Sequence, residues 1–329
     1  MKKKVVLSGT RSTGSLHLGN YFGAVENWLN LQNKYDCYFF IADWHSLTTG
    51  YEDTDNYIAN IKEVVMDLYA SGLDFDKCNI FLQSKNQDHA ELHLLLSMIT
   101  PLSWLERCPT YKDQLSQLAE KDIRTYGFLG YPCLMAADIL IYRAEGVPVG
   151  EDQLAHLEIT REIARRFNYL YGEVFPEPKA LLTEAKVLPG LDGRKMSKSY
   201  DNTILLKDEG EVLRSKIMSM VTDPARIRKT DPGHPEICSV YAFHKVFNQT
   251  EVASICQSCK KGEIGCVACK KNLYGKVSEF LRPIQERRKE IEAKPKLMNE
   301  ILEKGNANAK IKTEETMTMV RKAMKVNWE

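Results

Sequence analysis

Short runs of β-branched and aromatic residues alternate with amphipathic stretches through the first half of the chain, the pattern of a parallel α/β sheet. Val5-Val6-Leu7 and residues 37–42, 79–83 and 146–150 read as buried strands. Between them Leu18, Tyr21, Val25 and Trp28 recur at helical spacing behind a turn over residues 9–14. Ile58, Ile61, Val65 and Leu68 mark a second helix that Gly72 ends, and a third runs from residue 151 to 167. From about residue 205 helical patterns replace strands, so the chain divides into residues 1–205 and 206–329, with a last helix over residues 313–325. Ligands of such sheets sit beyond the carboxyl ends of strands, where residues 9–14 and Gly150 fall.

Composition adds little to this until it is read by segment. A chain of 329 residues with 43% hydrophobic positions can bury a sizeable core, and no apolar run is long enough to span a membrane. The apolar run after the basic start is too short for a signal peptide, and nine cysteines without one predict a reducing cytosol. The net charge of +1 hides 17 Lys and Arg against 11 Asp and Glu in residues 251–329. A basic tail behind a near-neutral first half fits a polyanionic partner, although solvated helix surface explains much of the excess equally well.

Two segments carry the chemistry. Residues 9–15 read Gly-Thr-Arg-Ser-Thr-Gly-Ser and open a helix, where free N–H groups favour phosphate. Ser15 stands where a P-loop needs lysine, and the dinucleotide glycine pattern is absent. Residues 195–199 read Lys-Met-Ser-Lys-Ser, two cations and two hydroxyls suited to polyphosphate during transfer. Together with His17-Leu18-Gly19-Asn20 this loop resembles the paired ATP signatures of class I aminoacyl-tRNA synthetases. Residues 131–142 (Tyr-Pro-Cys-Leu-Met-Ala-Ala-Asp-Ile-Leu-Ile-Tyr), residues 147–161 and Leu281-Arg-Pro-Ile-Gln-Glu-Arg287 are similar to bacterial tryptophanyl-tRNA synthetases.

The resemblance covers nearly the whole chain and implies a Rossmann-like nucleotide-binding domain followed by an α-helical anticodon-binding domain. It implies ATP with Mg²⁺, L-tryptophan and tRNA(Trp) as substrates, a cytoplasmic setting and a homodimer. On it, Lys195, Ser197 and Lys198 stabilise the departing pyrophosphate. Arg11, Ser12, Thr13, His17, Gly19, Asn20, Gly150, Glu151, Asp152, Val187, Met196 and Ser199 complete the ATP site, with Gly19 bare so that adenine can approach. Tyr131, Met135 and Asp138 share one helix face at i, i+4 and i+7. Asp138 would accept the indole N–H, Met135 and Leu7 would pack the ring, and Tyr131 and Gln153 would hold the ammonium. An acid in an apolar pocket is costly unless paired, so analogues without that donor should be rejected roughly 10⁴–10⁵-fold. Lys112 matches a family lysine near the substrate, whereas His45, His89, His93, His156 and His244 read as structural. Arg11-Ser12 and Leu7 depart from the commoner family residues, which bears on the pocket's shape rather than on the reaction.

Cys256-x2-Cys259-x6-Cys266-x2-Cys269, with Cys238 upstream, could hold tetrahedral zinc. Some bacterial tryptophanyl enzymes carry a four-iron four-sulfur cluster on one distant cysteine and a Cys-x6-Cys-x2-Cys run. Cys238, Cys259, Cys266 and Cys269 resemble that set, with a gap two residues shorter and Cys256 to spare. A tyrosyl-tRNA synthetase, a small-molecule adenylyltransferase and a synthetase-like RNA-binding or redox-sensing protein are the rivals. The adenylyltransferase would not need the basic tail, and a non-catalytic protein would not need the intact lysine loop.

Overall fold

The computed structural model of the chain describes residues 3–117, 122–182, 186 and 188–327. Its centre is a five-stranded parallel sheet in the order β3-β2-β1-β4-β5, built from Val5–Arg11 (β1), Asp36–Ala42 (β2), Cys78–Leu82 (β3), Gly146–Val149 (β4) and Lys179–Leu182 (β5). β2, β3 and the start of β1 read as largely apolar runs because both faces of the sheet are covered there. Val6, Phe39, Ile41 and Ile80 point into one core with Ile61, Val65 and Leu68 of the helix Tyr57–Ala70. Val5, Leu7, Phe40 and Phe81 point into the other, against Leu92 and Leu96 of Asp88–Ser97 and Ala136 and Ile139 of Tyr126–Ile141. The strand order turns between β1 and β4, so the loops leaving Arg11 and Val149 face one crevice.

Several elements differ from the sequence pattern. The first strand extends through Gly9 to Arg11 instead of turning at residue 9, pairing in register with Asp36–Ala42, and Gly9 is packed so closely that a Cβ would stand 2.6 Å from the Phe40 ring. The first helix is interrupted by a π-helical turn at Tyr21–Val25, which apolar spacing does not reveal. A 3₁₀ turn at Glu151–Gln153 precedes the helix Leu154–Tyr171, and the short edge strand β5 carries too little apolar signal to be predicted.

The last helix, Pro295–Met324, is far longer than residues 313–325. Its start carries an apolar stripe of Leu297, Met298, Ile301 and Leu302, and small residues follow where Gly305 lies flat against β3. Asn306 Oδ1 accepts from Leu82 N–H at 2.9 Å and Asn308 donates to Asn79 at 2.9 Å, so the helix closes the β3 edge. The helix Cys266–Glu292 brings Leu273, Val277, Leu281 and Ile284 into the same core as Val6 and Trp28. Among the described residues no helix is long and apolar enough to cross a membrane.

A Cβ at Gly305 would meet the Ile80 carbonyl oxygen at 1.7 Å. Alanine should gain about 1 kcal/mol of helix propensity there. The steric term is the larger, so we expect Gly305→Ala to lose about 1–3 kcal/mol net in urea unfolding. An unchanged or raised midpoint would show that the helix shifts freely off β3.

Candidate active site

The two phosphate-type motifs, separated by some 180 residues of chain, are joined through the backbone. Leu18 N–H donates to Ile204 O at 2.9 Å and Leu206 N–H to Leu16 O at 2.9 Å, around an antiparallel bridge between His17 and Leu205. His17 and Asn20 cap the short helix reciprocally: Asn20 N–H reaches His17 Nδ1 at 3.2 Å and His17 N–H reaches Asn20 Oδ1 at 3.0 Å. Burial, then nearby Lys198, pushes the His17 imidazole down to about 4, so it stays neutral and can accept. A Cβ at Gly19 would fall 2.9 Å from His17 Nδ1 and 3.5 Å from Met196 Cβ. The cap and the lysine loop, rather than adenine alone, therefore require a bare residue there.

Ser12 is buried, its N–H and hydroxyl both on Ser46 Oγ at 2.9 and 3.0 Å, while Arg11 Nη2 reaches Thr49 Oγ1 at 2.5 Å. Lys198 crosses to the first motif and donates to Thr13 O at 2.9 Å. Burial pushes its ammonium down to about 8, against the pull of Asp67 and Glu63. Asn202 shapes the lysine loop: it accepts from Ser197 N–H at 2.8 Å and donates to Lys195 O at 3.1 Å and Asp192 at 2.7 Å. Lys195 and Ser199 remain exposed at the loop surface, Ser197 is half-buried and Met196 is buried. Val187 lies outside the described residues. Asp192 and Asn202 were not among the expected site residues, although Asn202 lies only three residues past the motif.

Tyr131, Met135 and Asp138 share the helix Tyr126–Ile141, as the spacing predicts. Asp138 is fully buried and already satisfied: Gln83 Nε2 donates to both oxygens at 2.8 and 3.0 Å, His45 Nε2 lies 2.8 Å from Oδ2 and His89 Nδ1 2.7 Å from Oδ1. This corrects the picture of an acid left unpaired for the ligand. Burial would raise its pKa, but the bonds from His45 and His89 win and hold the carboxyl down to about 2. With Asp138 ionised, His45 carries its proton on Nε2 and His89 on Nδ1, which leaves His89 Nε2 to accept from Tyr142 OH at 2.9 Å.

A second chain of bonds joins the expected ammonium residues. Tyr131 OH meets His156 Nε2 at 2.7 Å, His156 Nδ1 meets Gln153 Oε1 at 3.0 Å, and Gln153 Nε2 donates to Asp152 at 2.9 Å. Burial lowers His156 to about 4, so the neutral ring donates to Gln153 and accepts from the tyrosine. His45 and His89 thus bond to Asp138, and His156 to Tyr131, two of the expected site residues. A lone histidine in sequence carries no sign of the acid it will meet. Leu7 is buried in the cluster against which Met135 packs. A Cβ at Gly150 would crowd Asp152 Oδ1 at 2.7 Å, and Glu151 and Asp152 are exposed at the crevice. Lys112 lies exposed on the helix Pro109–Gln117.

Cys238, Cys259, Cys266 and Cys269 all line one small cavity of about 20 Å³, together with Arg226. Arg226 Nη1 stands 3.7 Å from Cys259 Sγ and 3.9 Å from Cys266 Sγ, and its Nε is buried without a partner among the described residues. Burial, then the neighbouring Cys238, Cys259 and Cys266, raises the Cys269 thiol to about 12, and His244 Nε2 lies 3.3 Å from its sulfur. Cys256 does not line the pocket and sits beside Tyr241. Among the described residues no group of three or more His, Cys, Asp or Glu is arranged to hold a metal ion.

A parallel sheet with a glycine turn at its switch point, a lysine loop bonded to that turn, and a capped His-x-Gly-Asn helix start bridged to the segment after the loop define a class of enzyme. The chain belongs to the family described as tRNA synthetases class I (W and Y), whose model matches residues 1–282. Within it the likeness is to the tryptophan enzymes. The chain is 50% identical to the tryptophan–tRNA ligase of Thermotoga maritima, over 97% of this chain and 98% of that protein. It is 46% identical to that of Aquifex aeolicus, over 97% and 99%. Its fold matches the tryptophanyl-tRNA synthetase from Campylobacter jejuni complexed with ADP and tryptophane with a TM-score of 0.88, at 34% identity over 97% and 99% of the two chains.

Asp138→Asn keeps the volume but replaces one acceptor oxygen with a donor, which strands at least one of the three groups around it. We expect a loss of about 1–3 kcal/mol in urea unfolding at neutral pH. Wild-type stability would mean that Gln83, His45 and His89 find other partners.

Proposed function

We infer that this synthetase activates L-tryptophan with ATP to tryptophanyl-AMP and passes the tryptophanyl group to tRNA(Trp). The observation that carries the reading is the junction of the two motifs, Lys198 on Thr13 and Met196 against Gly19, beside a helix that presents Tyr131, Met135 and Asp138. ATP enters as its Mg²⁺ complex. A tryptophan carboxylate oxygen attacks the α-phosphorus, forming a new P–O bond while the bond to pyrophosphate breaks. The nucleophile is already ionised, so no general base is needed and catalysis is positioning plus charge stabilisation. Lys195, Ser197 and Lys198 take the role of meeting the charge that grows on pyrophosphate. Arg11, Ser12, Thr13, His17, Gly19, Asn20, Gly150, Glu151, Asp152, Val187, Met196 and Ser199 are assigned to ATP. Tyr131 and Gln153 are assigned to the ammonium, and Leu7 and Met135 to the ring.

Asp138 is the proposed acceptor for the indole N–H. Its oxygens are occupied, so the ligand has to take the place of one present donor. His45 on the short helix Asp43–Leu47 is the most accessible of the three. Residues 206–329 are proposed as the anticodon-binding half, in keeping with their excess of Lys and Arg. A cytoplasmic homodimer is the proposed working form, and the exposed apolar side chains Leu94, Met98, Leu102 and Tyr126 are in keeping with a covered face.

We further propose that the four-cysteine pocket takes a four-iron four-sulfur cluster, with zinc as the rival occupant. What supports the reading is the chemistry of the residues, not their present arrangement: four soft thiols line one cavity, and a guanidinium stands beside two of them. A bound cluster would cross-link the helical half, and no step of adenylation involves it.

Tryptophan-dependent ATP–pyrophosphate exchange tests the activity: exchange with tryptophan and little with tyrosine is expected, and the reverse would overturn the tryptophan reading. An indole-N-methylated analogue should bind poorly to wild type, and equal binding of both ligands would remove Asp138 as the acceptor. Anaerobic preparations should contain about four iron and four sulfide per chain. Stoichiometric zinc without iron would overturn the cluster, and absence of both metals would overturn the metal site.

A further inference from the structure

On the helix Tyr57–Ala70, Asn60, Glu63 and Asp67 share one face beneath the first motif. Asp67 is fully buried, and its Oδ2 accepts from Leu16 N–H at 2.6 Å. Glu63 Oε2 accepts from the Ser15 hydroxyl and from Lys207 Nζ, the latter at 2.9 Å. Two adjacent residues of the glycine turn are therefore held by two carboxylates. Both carboxylates are in turn held by Arg288 from the helix Cys266–Glu292. Its Nη1 donates to Asp67 Oδ1, its Nη2 to Glu63 Oε2 at 2.9 Å, and its Nε to Glu292 Oε1 at 2.8 Å.

We propose that Arg288 is a positioning residue for ATP: by neutralising and orienting Asp67 and Glu63 it makes the placement of the Ser15–Leu16 turn depend on the seating of the helical half. The dependence follows from desolvation. A buried acid is stable in its ionised form only while paired, and removing one partner of such a pair costs more than the pair contributes. Burial already pushes Asp67 up to about 6 with Arg288 and the Leu16 N–H pulling it down. If the guanidinium withdraws, Asp67 loses its charge and with it the strong bond to Leu16 N–H.

The turn does not stand alone. Asn60 Oδ1 lies where a Cβ at Gly14 would come within 2.9 Å, and Lys198 Nζ within 3.7 Å of the same point. A shift at Ser15–Leu16 therefore moves the residues that meet Lys198 and Thr13 O. The seat itself is well anchored: Arg287 donates to Ala70 O at 2.6 Å, Gln285 to Asp208 O at 2.7 Å, and Lys289 pairs with Glu209 at 2.7 Å. By contrast, Asp138, Gln83 and His89 reach the tryptophan half through bonds that do not include Arg288.

This rests on residues 9–20 being the ATP loop, and the test separates the two. Arg288→Lys keeps a charge for Asp67 but not the three-way fork, and Ser15→Ala removes one hydroxyl without stranding an ion, so both should fold. Dissociation constants are measured directly for a non-hydrolysable ATP analogue with Mg²⁺ and, separately, for tryptophan. Each variant should weaken the nucleotide by about tenfold and leave tryptophan within about twofold. The double variant should be no weaker than about the worse single one, since both act through Glu63 and the same turn. Equal nucleotide affinity in wild type and both variants, or equal losses for nucleotide and tryptophan, would overturn the role of Arg288, as would fully multiplicative effects. A wild type that binds no nucleotide would overturn the ATP reading and the proposal with it.

Discussion

Two backbone hydrogen bonds, Leu18 N–H to Ile204 O and Leu206 N–H to Leu16 O, hold together what the chain keeps far apart. Everything the site can do with a triphosphate depends on that antiparallel bridge. It brings Met196 against Gly19 and Lys198 onto Thr13 O, and it lies where the sheet order turns between β1 and β4. A bridge this short contributes little by itself. It persists because Leu16, Leu18, Ile204 and Leu206 are all buried in one core, so solvent cannot compete for its N–H and C=O groups.

The buried acids show how much the partners of a charge matter. Asp138 and Asp67 are both excluded from water, yet one is held down to about 2 and the other pushed up to about 6. Asp138 has three side-chain donors that converge on its two oxygens from separate elements. Asp67 has one guanidinium, which it shares with Glu63, itself a repelling charge. The first arrangement ties the helix Tyr126–Ile141 to Gln83, His45 and His89 through one carboxylate. The second makes a contact sensitive to whether the helical half is seated.

The last helix is bound by a different physics. Beyond the apolar residues of its first two turns it lies on β3 because Gly305 removes the atoms that would hold it away. Farther along, Thr313 donates to Asp88 Oδ2 at 2.6 Å and Arg321 forks onto Glu91. These bonds fasten the start of Asp88–Ser97, the helix that carries His89 to Asp138. The last helix thus braces the Asp138 cluster, while Arg288 braces the Ser15–Leu16 turn through Asp67 and Glu63.

Much of this was legible in the residues. Alternating apolar runs marked four of the five strands, Gly72 marked a helix end, and the spacing of Tyr131, Met135 and Asp138 put them on one helix face. The two phosphate motifs and the set of four cysteines were readable as local strings, and the cysteines do share a pocket. Local geometry has a period of 2 or 3.6 residues, so sequence records it directly. What only tertiary structure decided is which distant groups meet. Gln83, His45 and His89 around Asp138, His156 on Tyr131, Asn202 within the lysine loop and Arg288 on Asp67 are long-range pairings with no periodic trace. Each exists because folding buries a polar group and so demands a partner from wherever the packed chain can supply one.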